Sequence, residues 1–366
     1  AVMQKEAVPE FPETFSLAEL YAFSKMHGVE AMVFHGLEQL GMDENDPLWQ
    51  NWRNRADMLL TQSMVQLAER DMLFAALPAG WIQILPVKGC WLKEQYPDID
   101  YRQMSDLDIL IHEEDAQRAK NAMAELGYTA QEEETAENHD CYGKPPYLEV
   151  ELHRSLLEKN DDRYGYYLDV WEKAEPVADC AGMFRLKAED EYIYYLLHLY
   201  KHVVASGTGL RTILDCLVYR NVYPDMDRAY LRKEWEKLEL TEFAQQIETL
   251  SDCWFKTGTP VPEQLERLAS TIMAAGSYGN FEIFRDQKLE GLQQKYKNPF
   301  IRVLMYWVSL ICRPREEMER QYPIVKKLPV LLPVFWIVRA VGKFASRPKA
   351  VLHHVKSVFG RVKKDD

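Results

Sequence analysis

The spacing of apolar and polar positions changes period twice along the chain. Between residues 16 and 78 apolar residues return at helical intervals, as Leu60, Met64 and Leu67 do with polar residues between them, and the segment is predicted helical. Asp43-Glu44-Asn45-Asp46-Pro47 interrupts it with a turn. From residue 81 the runs shorten. Trp-Ile-Gln-Ile-Leu-Pro-Val at 81–87 is predicted as a strand, and Lys88-Gly89 then opens a short helix to about Gln95. A loop over 97–104 leads to Asp106-Leu107-Asp108-Ile109-Leu110-Ile111, a second strand. His112-Glu113-Glu114-Asp115 starts a helix with acids in its first turn, where the helix dipole favours them, and Gly127 stops it after Leu126. A short strand at 128–131 precedes Glu132-Glu133-Glu134, and 147–153 forms another strand. From about Ala188 the helical period returns, with breaks near Gly207-Thr208-Gly209, Tyr223-Pro224, 258–262 and Arg313-Pro314.

This order predicts an α+β fold. A small α/β core over 79–187 stands between an N-terminal helical region, 1–78, and a C-terminal helical domain with a basic tail, 188–366. The strands are few and close together, and there is no G-x-G-x-x-G or P-loop, so the pattern does not look like a doubly wound nucleotide fold.

Ser105-Asp106-Leu107-Asp108-Ile109-Leu110-Ile111 carries the candidate chemistry. Residues i and i+2 of a strand point to one face, so both carboxylates project together and raise each other's pKa. A divalent cation between them relieves that repulsion, and hard oxygen ligands suit Mg²⁺. Such a pair points to metal-assisted phosphoryl or nucleotidyl chemistry. On its own, the pair fits solvated acids on a strand edge equally well. The strand at 147–153 shifts the balance: Glu149, Glu151 and His153 share one face, Val150 and Leu152 the other. If it lies beside the Asp106/Asp108 strand, a third carboxylate completes a metal cluster, with Glu151 the first choice and Glu149 the reserve. Gly89 lets backbone approach a phosphate, and Lys88 adds a point charge. Arg102 either reaches the same phosphates or pairs with a loop carboxylate.

Composition narrows the partners. The 366 residues are 47% hydrophobic and 28% charged, as in a globular protein of two or three domains. The net charge of −13 argues against a general nucleic-acid binder, though a small phosphorylated substrate needs only local positive charge. Six scattered cysteines without a C-x-x-C pair read as free thiols of a reducing cytoplasm. No signal peptide is expected, and the apolar stretch 328–341 contains Pro329, Pro333 and Arg339 and is expected to be too short to span a bilayer. A cytoplasmic, soluble protein is expected. The basic tail from Arg339 to Lys364 could rest on an anionic membrane surface, but a solvated helix balancing an acidic body weighs more.

Lys88-Gly89, Tyr96-Pro97, Arg102, Ser105-Asp106-Leu107-Asp108-Ile109-Leu110, Gly127-Tyr128 and Glu151-Leu152-His153 together resemble the large bacterial family of uncharacterised nucleotidyltransferases, which has the DNA polymerase β-like fold. His198-Leu199-Tyr200-Lys201-His202 and Leu210-Arg211-Thr212-Ile213-Leu214-Asp215 look like its helical portion. The resemblance spans about residues 15–345. It departs from the wider superfamily in having Lys-Gly for Gly-Ser and Glu151 for the commoner Asp. It implies a small mixed-sheet nucleotidyltransferase core. Asp106, Asp108 and Glu151 would hold one or two Mg²⁺ ions, and Lys88, Gly89, Arg102 and Ser105 would meet the phosphates of an NTP such as ATP. Nucleoside monophosphate would pass to a hydroxyl acceptor that the sequence does not identify. A catalytically inactive member that binds nucleotide or a partner, and an enzyme that nucleotidylates protein or tRNA, are the alternatives.

In the helical portion, His198 and His202 are spaced i, i+4, but no third zinc ligand is evident. They are expected, with His153 and Lys201, near the cleft. Arg211 and Asp215 at the same spacing are expected to form a structural ion pair, and Tyr192, Tyr194 and Tyr195 to be core.

Overall fold

The computed structural model describes residues 16–41, 45–131, 136–277, 279–346, 352, 354–358 and 361. The acidic run 132–134, Asp43, Glu44 and much of the basic tail lie outside them. Three helices open the fold: α1 (Leu17–Met26), α2 (Glu30–Glu38) and α3 (Pro47–Ala79). Ser16 and Glu19 form a reciprocal capping box on α1. On α3, Asp46 accepts from the Leu48 and Trp49 amides and Pro47 sits at the first helical position.

The face that α3 buries differs from the one its apolar spacing suggested. Leu60 and Met64 are exposed, Met64 at 59%. Trp52, Ala56, Leu59, Ser63, Gln66, Arg70, Leu73 and Leu77 are buried instead. Polar residues enter this stripe because they find partners there. The Gln66 amide donates to the carbonyls of Met104 and Tyr147, and Arg70 to the Cys90 carbonyl and Glu94.

Five strands form the central mixed sheet: β1 (Ile84–Val87), β2 (Asp106–Ile111), β3 (Thr129–Ala130), β4 (His139–Lys144) and β5 (Leu148–His153), in the order β1-β2-β5-β4-β3. Only β2 and β5 pair in parallel. β1 starts three residues later than the apolar run, because Trp81 takes a positive φ of 61° and is 85% exposed. Pro86 is accommodated because β1 lies at the end of the strand order. β4 was not anticipated, since His-Asp-Cys-Tyr-Gly-Lys lacks an apolar alternation. The single turn α4 (Gly89–Leu92), continued by a 3₁₀ turn at Lys93–Gln95, follows β1, and α5 (Ala116–Glu125) follows β2. A two-stranded hairpin, β6 (Ala174–Pro176) with β7 (Phe184–Leu186), comes after the short α6 (Val170–Lys173).

Ten further helices lie among the described residues. They are α7 (Ala188–Ala205), α8 (Leu210–Val222), α9 (Arg228–Lys237), α10 (Thr241–Asp252), α11 (Glu266–Ala275), α12 (Phe281–Lys295), α13 (Pro299–Ile311), α14 (Arg315–Gln321), α15 (Pro323–Lys327) and α16 (Leu332–Ser346). The central sheet has a core on each face. Leu107, Ile109, Ile111, Val150 and Leu152 pack with Leu73, Leu77, Ala119 and Met123. Leu85, Val87 and Leu110 join the larger core built by α7 to α11, to which Tyr192, Tyr194 and Tyr195 belong. The alternation on β2 thus sends Asp106, Asp108 and Leu110 toward the helical side. The described residues form two compact units. One runs to Val203 and resumes from Thr208 to 277; the other comprises Val204–Gly207 and the residues from Gly279 onward. Among the described residues no helix is long and apolar enough to cross a membrane.

Lys93 links parts of the first unit from a fully buried position. Its ammonium donates to the Ser63 hydroxyl at 2.9 Å and the Arg102 carbonyl at 2.7 Å. Burial, and after it the Arg102 and Arg211 charges, lower its pKa from the usual 10.5 to about 7. The folded value lies below the unfolded one, so the unfolded chain binds more protons between those two pH values. The associated stability is present in full above 10.5 and is lost as pH falls through 7. Denaturant unfolding across this window should therefore show wild-type stability rising with pH, by an amount on the order of a few kcal/mol. Lys93→Met should remove that increment; equal pH slopes for the two proteins would contradict the assignment.

Candidate active site

The register of one strand pair assembles the acids. Parallel pairing of β2 with β5 puts Asp106 opposite Glu149 and Asp108 opposite Glu151. One carboxylate oxygen from each of Asp106, Asp108 and Glu151 lies within 4.8 Å of the others. Three oxygen donors so grouped fit a hard divalent cation such as Mg²⁺. Glu149 is exposed and is not part of the grouping.

Cationic groups already face these acids. The Lys88 ammonium is 2.8 Å from Asp108 Oδ1, and His153 Nε2 is 2.9 Å from the same oxygen and 3.2 Å from Glu151 Oε2. Burial opposes ionisation of Asp108, but Lys88 and His153 outweigh it and hold the carboxyl well below the usual range. Asp106 moves the other way: burial and the Asp108 charge raise it, although Lys88 and a 2.9 Å bond from the Ser105 hydroxyl oppose them. Glu151 also overcomes burial, through its bond to His153, and is lowered. The cluster thus combines two firmly anionic carboxylates with one that is harder to ionise.

His139 belongs here as well, and the sequence reading missed it. It sits on β4 opposite His153, with Nε2 3.8 Å from Glu151 Oε1. His139, Glu151 and His153 form a second grouping with ligand atoms within 4.8 Å of one another. No local spacing signals this, because β4 lacks a strand-like pattern.

Lys88 occupies an unusual backbone conformation, φ 53° and ψ −118°, which glycine ordinarily takes at the first corner of a type II′ turn. Such a conformation costs roughly 1–3 kcal/mol and persists where surrounding contacts fix it. Here the ion pair with Asp108 supplies such a contact. The absence of a side chain at Gly89 is also required. A Cβ there would stand 2.8 Å from Arg102 Nη1 and 3.0 Å from Met104 Sδ.

Arg102 lines the cavity while its guanidinium is held by a carboxylate. Its Nε and Nη2 bind the two oxygens of Asp215 on α8 at 2.9 and 3.0 Å, and the Tyr96 hydroxyl adds a 2.5 Å bond to Oδ1. All three residues are buried. This corrects the expected Arg211–Asp215 pair. Asp215 is taken by Arg102, and the Arg211 guanidinium donates to the Gln103 carbonyl instead.

A cavity of about 270 Å³ opens between the sheet and the helices. Lys88, Gly89, Ser105, Asp106 and Asp108 line one side, and His198, His202, Arg211 and Ser277 are among the residues of the other. Arg211 Nε and Ser277 Oγ are buried without a hydrogen-bond partner. His198 and His202 meet Nε2 to Nε2 at 2.7 Å, so one ring donates to the other. Burial and the nearby Lys88 charge lower the pKa of both. Neither joins a three-ligand metal grouping among the described residues. Lys201 is not part of the lining: its ammonium lies 3.8 Å from Asp161.

A family model described as uncharacterised nucleotidyltransferase matches residues 13–256, which include every residue of this site except Ser277. No curated protein and no solved structure matches the chain.

The two ionic environments in this region should respond differently to truncation. Removing one partner of a buried pair strands the other charge, so Asp215→Ala should cost roughly 3–5 kcal/mol of unfolding free energy. Lys201→Ala, which loses a long contact at a half-exposed position, should cost at most about 1 kcal/mol. Urea denaturation of both variants checks this; comparable losses would show that the Arg102–Asp215 bond is not a principal tie between loop and helix.

Proposed function

The chain belongs to the uncharacterised nucleotidyltransferase family, and from that premise we propose that it transfers a nucleoside monophosphate from a Mg²⁺-bound NTP to a hydroxyl acceptor. The single observation that carries this reading is the convergence of Asp106, Asp108 and Glu151 beside Lys88, with the two aspartates and the lysine at the wall of the cavity. In the proposed reaction the acceptor oxygen bonds to the α-phosphorus, the bond to the bridging oxygen breaks, and pyrophosphate leaves as the hydroxyl proton is lost. Bound Mg²⁺ would supply charge neutralisation on the phosphates and activation of the hydroxyl.

The protein's own groups then have defined tasks. Asp106, Asp108 and Glu151 would hold the cation, and Ser105 fixes one oxygen of Asp106. Lys88 would exchange part of its hold on Asp108 for the phosphates, while Gly89 leaves room beside Arg102. Arg211 and Ser277 offer further donors from the helical wall. Arg102 acts indirectly: by gripping Asp215 it anchors the loop before β2 to α8. The preorganised charges stabilise the transferring phosphoryl group without reorganising during the reaction.

A second reading, a member that binds nucleotide without transferring it, is favoured by one observation: Lys88 and His153 both neutralise the same Asp108 oxygen. Titration with Mg·NTP and measurement of pyrophosphate release separate the two. Wild type should bind nucleotide only with the metal present and release pyrophosphate when offered an acceptor. Asp106→Asn and Asp108→Asn should each lower turnover by at least about a hundredfold, the scale expected on losing an electrostatic contact to the transition state. Glu149→Gln, altering a carboxylate outside the grouping, should leave turnover close to wild type. Metal-dependent binding without pyrophosphate in a broad acceptor screen favours the second reading; absence of metal-dependent binding removes both.

A further inference from the structure

Charge is divided unevenly along this sequence. Residues 1–278 contain 26 Lys and Arg against 49 Asp and Glu, a formal −23, whereas residues 279–366 contain 18 against 8, a formal +10. The overall acidity therefore conceals a strongly basic segment. That segment supplies nearly all of the second compact unit and lies wholly beyond the family match at 13–256.

The helices of this unit turn apolar side chains outward. On α13, Phe300, Leu304 and Val308 recur every four residues and are all exposed, Phe300 at 81%. On the same helix Arg302, Val303 and Tyr306 are buried. On α16, Ile337, Val341 and Phe344 form a second exposed stripe, with Ile337 at 63%. The opposite side of α16 is the one that makes contacts: Trp336 Nε1 donates to the Arg313 carbonyl, and Arg339 to that of Leu310. On α13 this stripe is additional to the face packed inward, where Val303 and Tyr306 join a small core with Leu289 and Val358, so more apolar surface is exposed than an ordinary surface helix leaves outside. Exposed lysines lie in the segments that lead to both helices. Lys295 and Lys297 precede α13, while Lys326 and Lys327 precede Leu328 and Val330, and all six are exposed.

We propose that the second unit docks on an anionic lipid surface, laying the apolar stripes of α13 and α16 among the acyl-chain boundary and its lysines against the headgroups. Exposed apolar stripes alone do not choose an occupant; the charge does. A second copy apposed face to face would bring one formal +10 segment against another, whereas an anionic bilayer complements it. The acidic remainder would be repelled by the same surface, so charge selects which unit makes contact. Surface docking also accords with the absence, among the described residues, of a helix able to span the bilayer. The inference does not depend on nucleotidyl transfer, because none of these residues lines the cavity.

The test uses the full chain and sedimentation with vesicles of phosphatidylcholine alone or mixed with phosphatidylglycerol. Wild type should bind the mixed vesicles at least about tenfold more tightly, and added salt should weaken that binding. Lys326→Glu/Lys327→Glu should reduce the binding by roughly tenfold or more, taking about 1 kcal/mol per removed basic residue. Ile337→Ser/Val341→Ser should reduce it separately by removing inserted apolar area. Both pairs are exposed, so retained melting temperatures would show that the fold is intact. Failure to bind anionic vesicles, or equal binding to neutral ones, would overturn the proposal. So would concentration-dependent self-association abolished by the apolar variant, since a second copy would then cover the face.

Discussion

A buried carboxylate must be compensated, and Asp108 imposes that constraint on the structure around it. It lies in the middle of a sheet whose neighbouring positions belong to the cores. Leaving its charge without a partner would cost several kcal/mol. Lys88 reaches it only from a backbone conformation that glycine would adopt more readily, and His153 reaches it only because β5 runs parallel to β2 in one register. Strand pairing, the turn after β1 and the acid cluster are therefore one arrangement. A one-residue slip of β5 would send Glu151 and His153 into the apolar core and bring Val150 or Leu152 toward the cavity.

The helices do more than enclose this sheet. Asp215 of α8 binds the Arg102 guanidinium at two points, while Lys93 binds the Arg102 carbonyl and Ser63 of α3. Arg102 thus joins the loop preceding β2 to helices on both sides of it. The loop needs such anchoring because it contributes no ladder bonds of its own before Asp106. The same contacts explain how polar residues tolerate burial: their donors and acceptors are met across elements, even where the local apolar pattern points elsewhere, as on α3.

Family membership accounts for the sheet and the helices adjoining it, but the match ends at 256. The basic segment from residue 279 onward has the opposite formal charge and an outward-facing apolar surface, so its physical demands differ from those of the acid-lined cavity. Charge averaged over the whole chain hides this division.

Local periodicity is what the sequence by itself determined. The i, i+2 placement of Asp106 and Asp108, the shared face of Glu149, Glu151 and His153, and the Lys88-Gly89 turn come from strand period and glycine geometry over a few residues. The α+β order and the family resemblance rest on the same short-range signals. Tertiary structure decided the rest. It selected Glu151 over Glu149, brought His139 to the cluster from an unpatterned strand, and turned α3 to bury Gln66 and Arg70 instead of Leu60 and Met64. It also joined Arg102 to Asp215, 113 residues away, leaving Arg211 to the Gln103 carbonyl. Those choices lie beyond local spacing because a buried charge or hydrogen-bonding group takes whichever partner the folded chain brings within about 3 Å.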